Sequence, residues 1–173
     1  MLKLVFAFLI VISIKAAGQS FSTYTDTLNN FSIDIPAGWE YGIDKNYPGI
    51  ILIARRVPQS KSDTIRDNFN INTIETPGKT LDKTFADFRK YLLETENFKL
   101  MDMGDTVLNG RRFKWLIETH KDDVGGNVQL HNYNFVTIKN NKTYILTMVT
   151  FSYFFDTIKP LFDQIASSFI LPD

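Results

Sequence analysis

Residues 110–151 decide the fold, and they read GRRFKWLIETHKDDVGGNVQLHNYNFVTIKNNKTYILTMVTF. Two turn signals, Gly125-Gly126 and Asn140-Asn141, divide this stretch. They separate three predicted strands, which are Arg111–Thr119, Asn127–Lys139 and Thr143–Phe151. Because side chains alternate between the two faces of a strand, a sheet with one solvated face is polar at every second residue. These strands are apolar on both faces, so the sequence predicts an antiparallel meander that is covered on each side.

The lengths of the two turns predict the register of this meander. A two-residue turn at the glycine pair places Trp115 opposite Val136 and His120 opposite His131. A tight turn at the asparagine pair places Val136 opposite Ile145. In this register Trp115, Val136 and Ile145 lie on the same face of the sheet.

The rest of the chain adds further strands and two helices. The additional strands are predicted at Gln19–Thr27, Phe31–Ile35, a short segment from Trp39, Ile50–Val57, Phe69–Glu75, and Phe98–Leu108 with an irregularity at Gly104. Helices are predicted at Leu81–Glu96, capped by Thr80, and from Thr157 to Phe169, with Pro160 in the first turn. The pattern predicts a single α+β domain: a central, mainly antiparallel sheet with helices on both faces, an α/β/α sandwich.

The first eighteen residues have the layout of a secretory signal peptide. A short basic segment, Met1-Leu2-Lys3, precedes an apolar run of about eleven residues, which is too short to span a bilayer. Small residues at Ala16-Ala17-Gly18 suit cleavage after Gly18. The sequence therefore predicts a signal peptide at 1–18 and a mature domain at 19–173; retention of the segment as an anchor is the alternative.

Composition excludes several classes of protein. Lysine plus arginine and aspartate plus glutamate each number 19, and removal of Lys3 and Lys15 leaves a net charge of −2. Such a chain lacks the basic excess of a nucleic-acid binder. It contains no cysteine, which excludes an acylated lipoprotein and argues against an exported eukaryotic domain stabilised by disulfides. We therefore expect a bacterial periplasmic or secreted protein.

Candidate chemical groups are few. The chain has no cysteine and no Gly-x-Ser-x-Gly elbow, and its two histidines have no marked serine partner. In the predicted register His120 and His131 lie opposite each other, with Glu118 on the same side, so the three side chains form a candidate metal site. The competing interpretation is an exposed polar pair near a hairpin end. No cofactor is predicted.

The order of motifs resembles that of one known family. Residues 31–39 read FSIDIPAGW, which resembles the F-x-I-x-x-P-x-x-W opening of the PsbP-like proteins, named after an extrinsic subunit of the photosynthetic oxygen-evolving complex. Further matching features follow in the family order: Asn70-Ile71-Asn72, Thr80-Leu81, Gly110 before a Trp/Phe-rich strand, and Ser168-Phe169. The resemblance implies a bacterial exported member of a fold that also serves a Ran-binding import factor. No functional residue of the family can be transferred to this chain.

Two functions remain open from the sequence. The first is an exported, non-enzymatic accessory protein of the bacterial envelope that binds another protein or an apolar segment. The resemblance favours it, because the relatives share protein binding rather than a reaction. The alternative is a small periplasmic hydrolase or metal-binding protein that uses His120 and His131. In either case we expect an envelope or secreted protein as the partner of a chain without a membrane span after signal removal.

Export predicts a specific mature protein. We expect material from the native host to begin at Gln19, because Ala16 and Gly18 supply the small residues that the cleavage site requires. Intact-mass spectrometry of that material measures the N-terminus. Membrane-bound protein that retains Met1 would contradict the prediction and support the anchor.

Overall fold

A computed structural model describes residues 19–43, 47, 49–61, 63, 65–122 and 128–172. Its strands are β1 (Phe21–Asp26), β2 (Phe31–Pro36), β3 (Trp39–Gly42), β4 (Ile50–Arg56), β5 (Asn68–Glu75), β6 (Lys99–Leu108), β7 (Arg111–Asp122), β8 (Val128–Lys139) and β9 (Lys142–Phe151). Its helices are α1 (Leu81–Leu92) and α2 (Phe155–Ser168), and a 3₁₀ turn at Ser152–Phe154 precedes α2. The predicted signal peptide and the Gly125-Gly126 turn lie outside these residues.

The described strands form two antiparallel sheets. β1 and β2 form a hairpin, and the other seven strands form one sheet in the order β3-β4-β5-β9-β8-β7-β6. The chain leaves β5 through α1, enters the far edge at β6 and returns through the meander, so β9 pairs with β5. This topology confirms the mainly antiparallel sheet of the prediction.

The predicted register of β7 against β8 is wrong by one residue. Trp115 pairs with Phe135, and His131 pairs with Thr119. The last pair is Asp122 with Val128, so five residues separate the two strands where the prediction allowed two. Since a shift of one residue moves a side chain to the other face, the predicted faces of β7 are exchanged. The register of β8 against β9 is confirmed, because Val136 pairs with Ile145.

One helix packs against part of each face of the large sheet. A smaller cluster contains Phe85 of α1 with Leu116, Val136 and Ile145. The larger cluster contains Phe155, Phe162 and Phe169 at α2, Phe31, Ile33 and Ile35 of β2, and sheet residues such as Phe113, Phe135, Leu146 and Met148. Two helices are present in the described chain, so the fuller sandwich with helical layers over both faces is not confirmed.

The helix ends differ from the predicted ones for local reasons. Thr80 caps α1 as predicted, because its hydroxyl accepts a hydrogen bond from the Lys83 amide at 3.3 Å. α1 ends at Leu92, four residues before the predicted end, and turns lead into β6. α2 begins at Phe155, so Pro160 lies in its second turn rather than its first.

The irregularity in β6 is also displaced from its predicted position. The register of β6 against β7 shifts between Leu100 and Asp102, whereas Gly104 pairs regularly with Trp115. A Cβ atom on Gly104 would lie 2.9 Å from Cζ2 of the Trp115 ring. The glycine therefore makes room for the indole instead of forming a bulge.

Truncation on either face of the sheet should destabilise the protein strongly. Leu116→Ala and Phe113→Ala remove fully buried side chains from opposite faces, and we expect each to lower the free energy of unfolding by about 2–5 kcal/mol. Urea unfolding measures both effects, with exposed Val107→Ala as the control. A near-neutral result for either core variant would contradict the burial of that side chain.

Candidate functional site

The histidines predicted to share a metal lie on opposite faces of the sheet. Glu118 and His120 lie two residues apart on the face toward α1, and His120 Nδ1 lies 3.2 Å from Glu118 Oε2. The Glu118 side chain is only 1% exposed, and its cross-strand neighbour is Asn132. His131 pairs with Thr119, so it faces the α2 side.

His131 anchors the turn that leads into α2. Its Nδ1 atom is hydrogen-bonded to the Ser152 hydroxyl at 2.9 Å. Its ring stacks on Phe155 with the centroids 4.5 Å apart. Burial lowers the pKa of His131, and the negative charges of Asp156 and Glu118 oppose this shift. At neutral pH His131 is therefore a neutral packing and hydrogen-bonding group.

The predicted metal triad is not assembled. Within the described part of the chain, no three His, Cys, Asp or Glu side chains are grouped as metal ligands would be. Glu118 and His120 are together, whereas His131 is separated from them by the sheet. Metal binding at Glu118 and His120 stays a prediction.

Three aromatic rings form an exposed surface where β9 meets α2. We call Phe151, Tyr153, Phe154 and Ile158 the aromatic patch. Tyr153 is 72% exposed and Phe154 is 49% exposed. The Tyr153 ring lies 5.2 Å from Phe151 and 4.5 Å from Phe154, measured between centroids. These are large apolar side chains held against each other in contact with solvent.

A charged network borders the aromatic patch. Arg56 and Asp63 form a two-armed ion pair with distances of 2.8 and 3.2 Å, and Arg56 Nε donates to Asp67 at 2.9 Å. The Thr150 hydroxyl donates to the other Asp67 oxygen at 2.7 Å. Hydrogen bonding to Arg56 holds the pKa of Asp63 below its usual range. Together with the patch, Arg56, Asp63 and Asp67 line a cleft of about 380 Å³.

A second concave surface lies beside α1, and we call it the α1 groove. It has a volume of about 380 Å³. Its floor comes from β5 and β9, namely Asn72, Ile74, Thr143, Ile145 and Thr147. Its wall comes from α1 and includes Thr84, Phe88 and Tyr91. The groove exists because α1 lies mainly over β7 and β8 and leaves the neighbouring strands on that face uncovered.

Sequence reasoning missed both surfaces. The run FSYFF at residues 151–155 holds four aromatic residues in five, whereas the predicted strand ends at Phe151 and the predicted helix begins at Thr157. Such a density at the junction of a strand and a proline-containing helix could have indicated the aromatic patch. No comparable sequence signal marks the α1 groove, since its residues come from β5, α1 and β9.

The aromatic patch and the α1 groove belong to a mainly antiparallel α+β domain, and comparison with known proteins gives its family. The sequence model of the PsbP family matches residues 19–171, so the chain belongs to the PsbP family. It is 28% identical over 168 residues to CyanoP of Synechocystis sp. (strain PCC 6803), with 87% of this chain and 82% of that protein covered.

Solved structures share the fold at low sequence identity. The solution structure of CyanoP has a TM-score of 0.67 and 22% identity, covering 91% of this chain and 96% of that one. Mog1p, a Ran-binding protein of Saccharomyces cerevisiae, has a TM-score of 0.59 and 8% identity, with 90% and 97% covered. LpqN, involved in cell envelope biogenesis of Mycobacterium tuberculosis, has a TM-score of 0.58 and 14% identity, with 90% and 88% covered.

A helix that spans a membrane needs about 20 predominantly apolar residues. In the described residues, neither α1 nor α2 has the length and hydropathy that crossing a bilayer demands.

Zinc titration tests the histidine pair. The metal hypothesis predicts a saturable heat of binding in the wild-type protein that His120→Ala abolishes and His131→Ala preserves, because only His120 contacts Glu118. Isothermal calorimetry measures all three proteins. Identical heats for the wild type and His120→Ala would remove the hypothesis.

Proposed function

We propose that residues 19–173 form one PsbP-like α/β/α domain that acts as an exported, non-enzymatic accessory protein of the bacterial envelope. It binds another protein through the aromatic patch. Membership of the PsbP family supports an accessory role. The signal-peptide pattern at residues 1–18 supports export.

The observation that carries this proposal is the exposure of Tyr153 and Phe154 on a turn that the His131–Ser152 hydrogen bond holds to β8. Protein interfaces are enriched in aromatic residues and arginine, and a few such anchors supply most of the binding energy. Burying both exposed rings against a partner would remove a large apolar area from water. The patch is therefore suited to a partner with an apolar surface of its own.

The residues around the aromatic patch are held in place by contacts within the protein. Phe155, which directly follows the 3₁₀ turn, is buried, and the His131–Ser152 hydrogen bond ties that turn to β8. On the other side, Arg56 is held by two carboxylates. A surface that is already ordered loses little conformational entropy on binding, so more of its contact energy appears as affinity.

A hydrolase is the second candidate because a serine and a histidine are in contact. Ser152 Oγ lies 2.9 Å from His131 Nδ1, within the range of a nucleophile and its base. A triad also needs a third group that orients the imidazole. No carboxylate within the described residues is hydrogen-bonded to His131, whose ring instead packs on Phe155. We therefore assign this pair to anchoring the turn.

Capture from the envelope tests the proposed function. Crosslinking and affinity capture with the wild-type protein should recover one envelope or secreted partner reproducibly. With that partner purified, Tyr153→Ala/Phe154→Ala should weaken binding by at least about tenfold, since truncated hot-spot residues typically cost more than 1 kcal/mol each.

The matched control is Tyr91→Ala/Leu93→Ala, which removes two side chains that are each 68% exposed at the end of α1. It should bind as the wild type does. Equal affinity of the Tyr153→Ala/Phe154→Ala protein would contradict the patch as the docking surface. Recovery of no partner, together with an esterase activity that Ser152→Ala abolishes, would favour the hydrolase.

A further inference from the structure

The outer side of β6 is a long open edge of the large sheet. Among the described strands, β6 pairs with β7 alone, and it lies at the opposite end of the sheet from β3. It has 10 residues, whereas β3 has 4. Unpaired amide and carbonyl groups along such an edge are a template for another strand, and proteins usually block them. The groups along β6 therefore decide what this edge can pair with.

The first half of this edge is blocked by local features. The register of β6 against β7 shifts between Leu100 and Asp102, and an irregularity of this kind bends a strand and interrupts its pairing. The Met103 amide points away from β7 and donates to the Asp102 carboxylate at 2.8 Å. We call residues 104–108, which follow β7 in an unbroken register, the open edge segment.

The turn that ends β6 gives the direction of the backbone groups in this segment. Asn109 and Gly110 have φ angles of 49° and 77°, as in a two-residue type I′ turn. The flanking pair, Leu108 and Arg111, is then hydrogen-bonded across the ladder. Because such pairs alternate, every second residue of the segment points its amide and carbonyl groups away from β7. The two that do so are Asp105 and Val107.

A hydrogen bond on β7 supports this assignment. The Arg112 carbonyl accepts from the Thr137 hydroxyl of β8 at 2.8 Å, so it points away from β6. Arg112 is the partner of Val107 in the ladder. The two residues are therefore a pair without mutual hydrogen bonds, and the backbone groups of Val107 point to the open edge. Its side chain is 65% exposed.

The open edge segment is complementary to a second copy of itself. When two copies run antiparallel about Thr106, Asp105 of each copy lies opposite Val107 of the other. These are the residues whose amide and carbonyl groups point outward, so the backbones of the two copies satisfy each other. No like charges are opposed, and the two threonines form a favourable cross-strand pair.

The side chains on the α2 side of the sheet fit the same register. Leu108 of each copy lies opposite Gly104 of the other. The Trp115 indole extends over that glycine, since a Cβ atom there would lie 2.9 Å from Cζ2 of the ring. A leucine beside an indole buries apolar surface on both copies.

Other registers of the same pair are less favourable. Pairing about Asp105 would place two aspartates directly opposite each other. Pairing about Gly104 would require the Met103 amide, which already donates to Asp102. Pairing about Val107 would bring in Asn109, whose positive φ ends the extended backbone.

We propose that β6 mediates a two-fold symmetric homodimer in which residues 104–108 of two copies pair antiparallel about Thr106 and join the two large sheets into one. The interface is isologous, as in most dimers, and it is small, so the dimer forms in a concentration-dependent manner. It uses β6 and not the aromatic patch, so it stands or falls independently of the proposed docking of another protein.

Sedimentation of the purified protein tests the dimer. From about 10 µM to 1 mM, which brackets weak association, we expect the average mass to rise toward twice that of the monomer. Val107→Pro should weaken the dimer at least about tenfold, because it removes an outward amide from each copy. Proline is tolerated on an edge strand where its nitrogen faces solvent, so circular dichroism should show an unchanged fold. Val107→Thr, which keeps the amide, is the matched control and should dimerise as the wild type does.

A single engineered cysteine tests the register without depending on the proline variant, because the chain has no cysteine of its own. Thr106→Cys places two thiols at a cross-strand pair without hydrogen bonds, where Cα atoms lie about 4.5 Å apart, within disulfide range. Val107→Cys places them on a diagonal of roughly 7–8 Å, which is too far. With oxidised glutathione and equal protein concentrations, Thr106→Cys should form the disulfide-linked dimer at least about tenfold faster.

Four outcomes would overturn the proposal. The first is a monomer at every concentration. The second is a dimer that a folded Val107→Pro protein forms as well as the wild type, which would place the interface elsewhere. The third is equal crosslinking of the Thr106→Cys and Val107→Cys proteins. The fourth is a monomeric chain that captures a different protein through an interaction that Val107→Pro abolishes, since the edge would then belong to that protein.

Discussion

A central sheet with two apolar faces is the constraint on which the rest of this structure depends. Leu116, Val136 and Ile145 face α1, whereas Phe135 and Leu146 face α2. Neither face can remain in water, because exposing these side chains would cost most of the hydrophobic energy that stabilises the domain. The chain therefore places a helix against each face, and the β1–β2 hairpin completes the cover on the α2 side.

Incomplete cover of the sheet on the α1 side creates the α1 groove. α1 has 12 residues and lies mainly over two of seven strands, so the floor beside it stays open. On the α2 side, exposed aromatic residues lie where β9 meets α2. Phe155 is buried, whereas the preceding Tyr153 and Phe154 are exposed. Both surfaces are thus consequences of how the core is closed.

Most strands and α1 were predictable, since apolar alternation and Thr80 mark them directly in the sequence. The register of β7 against β8 was not predictable. The glycine pair indicated a two-residue turn, whereas five residues separate Asp122 from Val128. This shift of one residue in the register of β7 against β8 places His120 and His131 on opposite faces of the sheet, so the predicted metal triad is not assembled. The α1 groove could not be predicted either, because its residues come from elements distant in sequence.

The central claim is which face of β7 packs against α1, and side-chain NOEs measure it most directly. Phe85 packs with Leu116 in one cluster, whereas Ile117 belongs to the cluster that contains Phe155 and Phe162. With methyl labelling, we expect NOEs from the Leu116 methyl groups to the Phe85 ring and none from Ile117 to that ring. NOEs between Ile117 and Phe85 would contradict the account, because they would place the other face of β7 under α1.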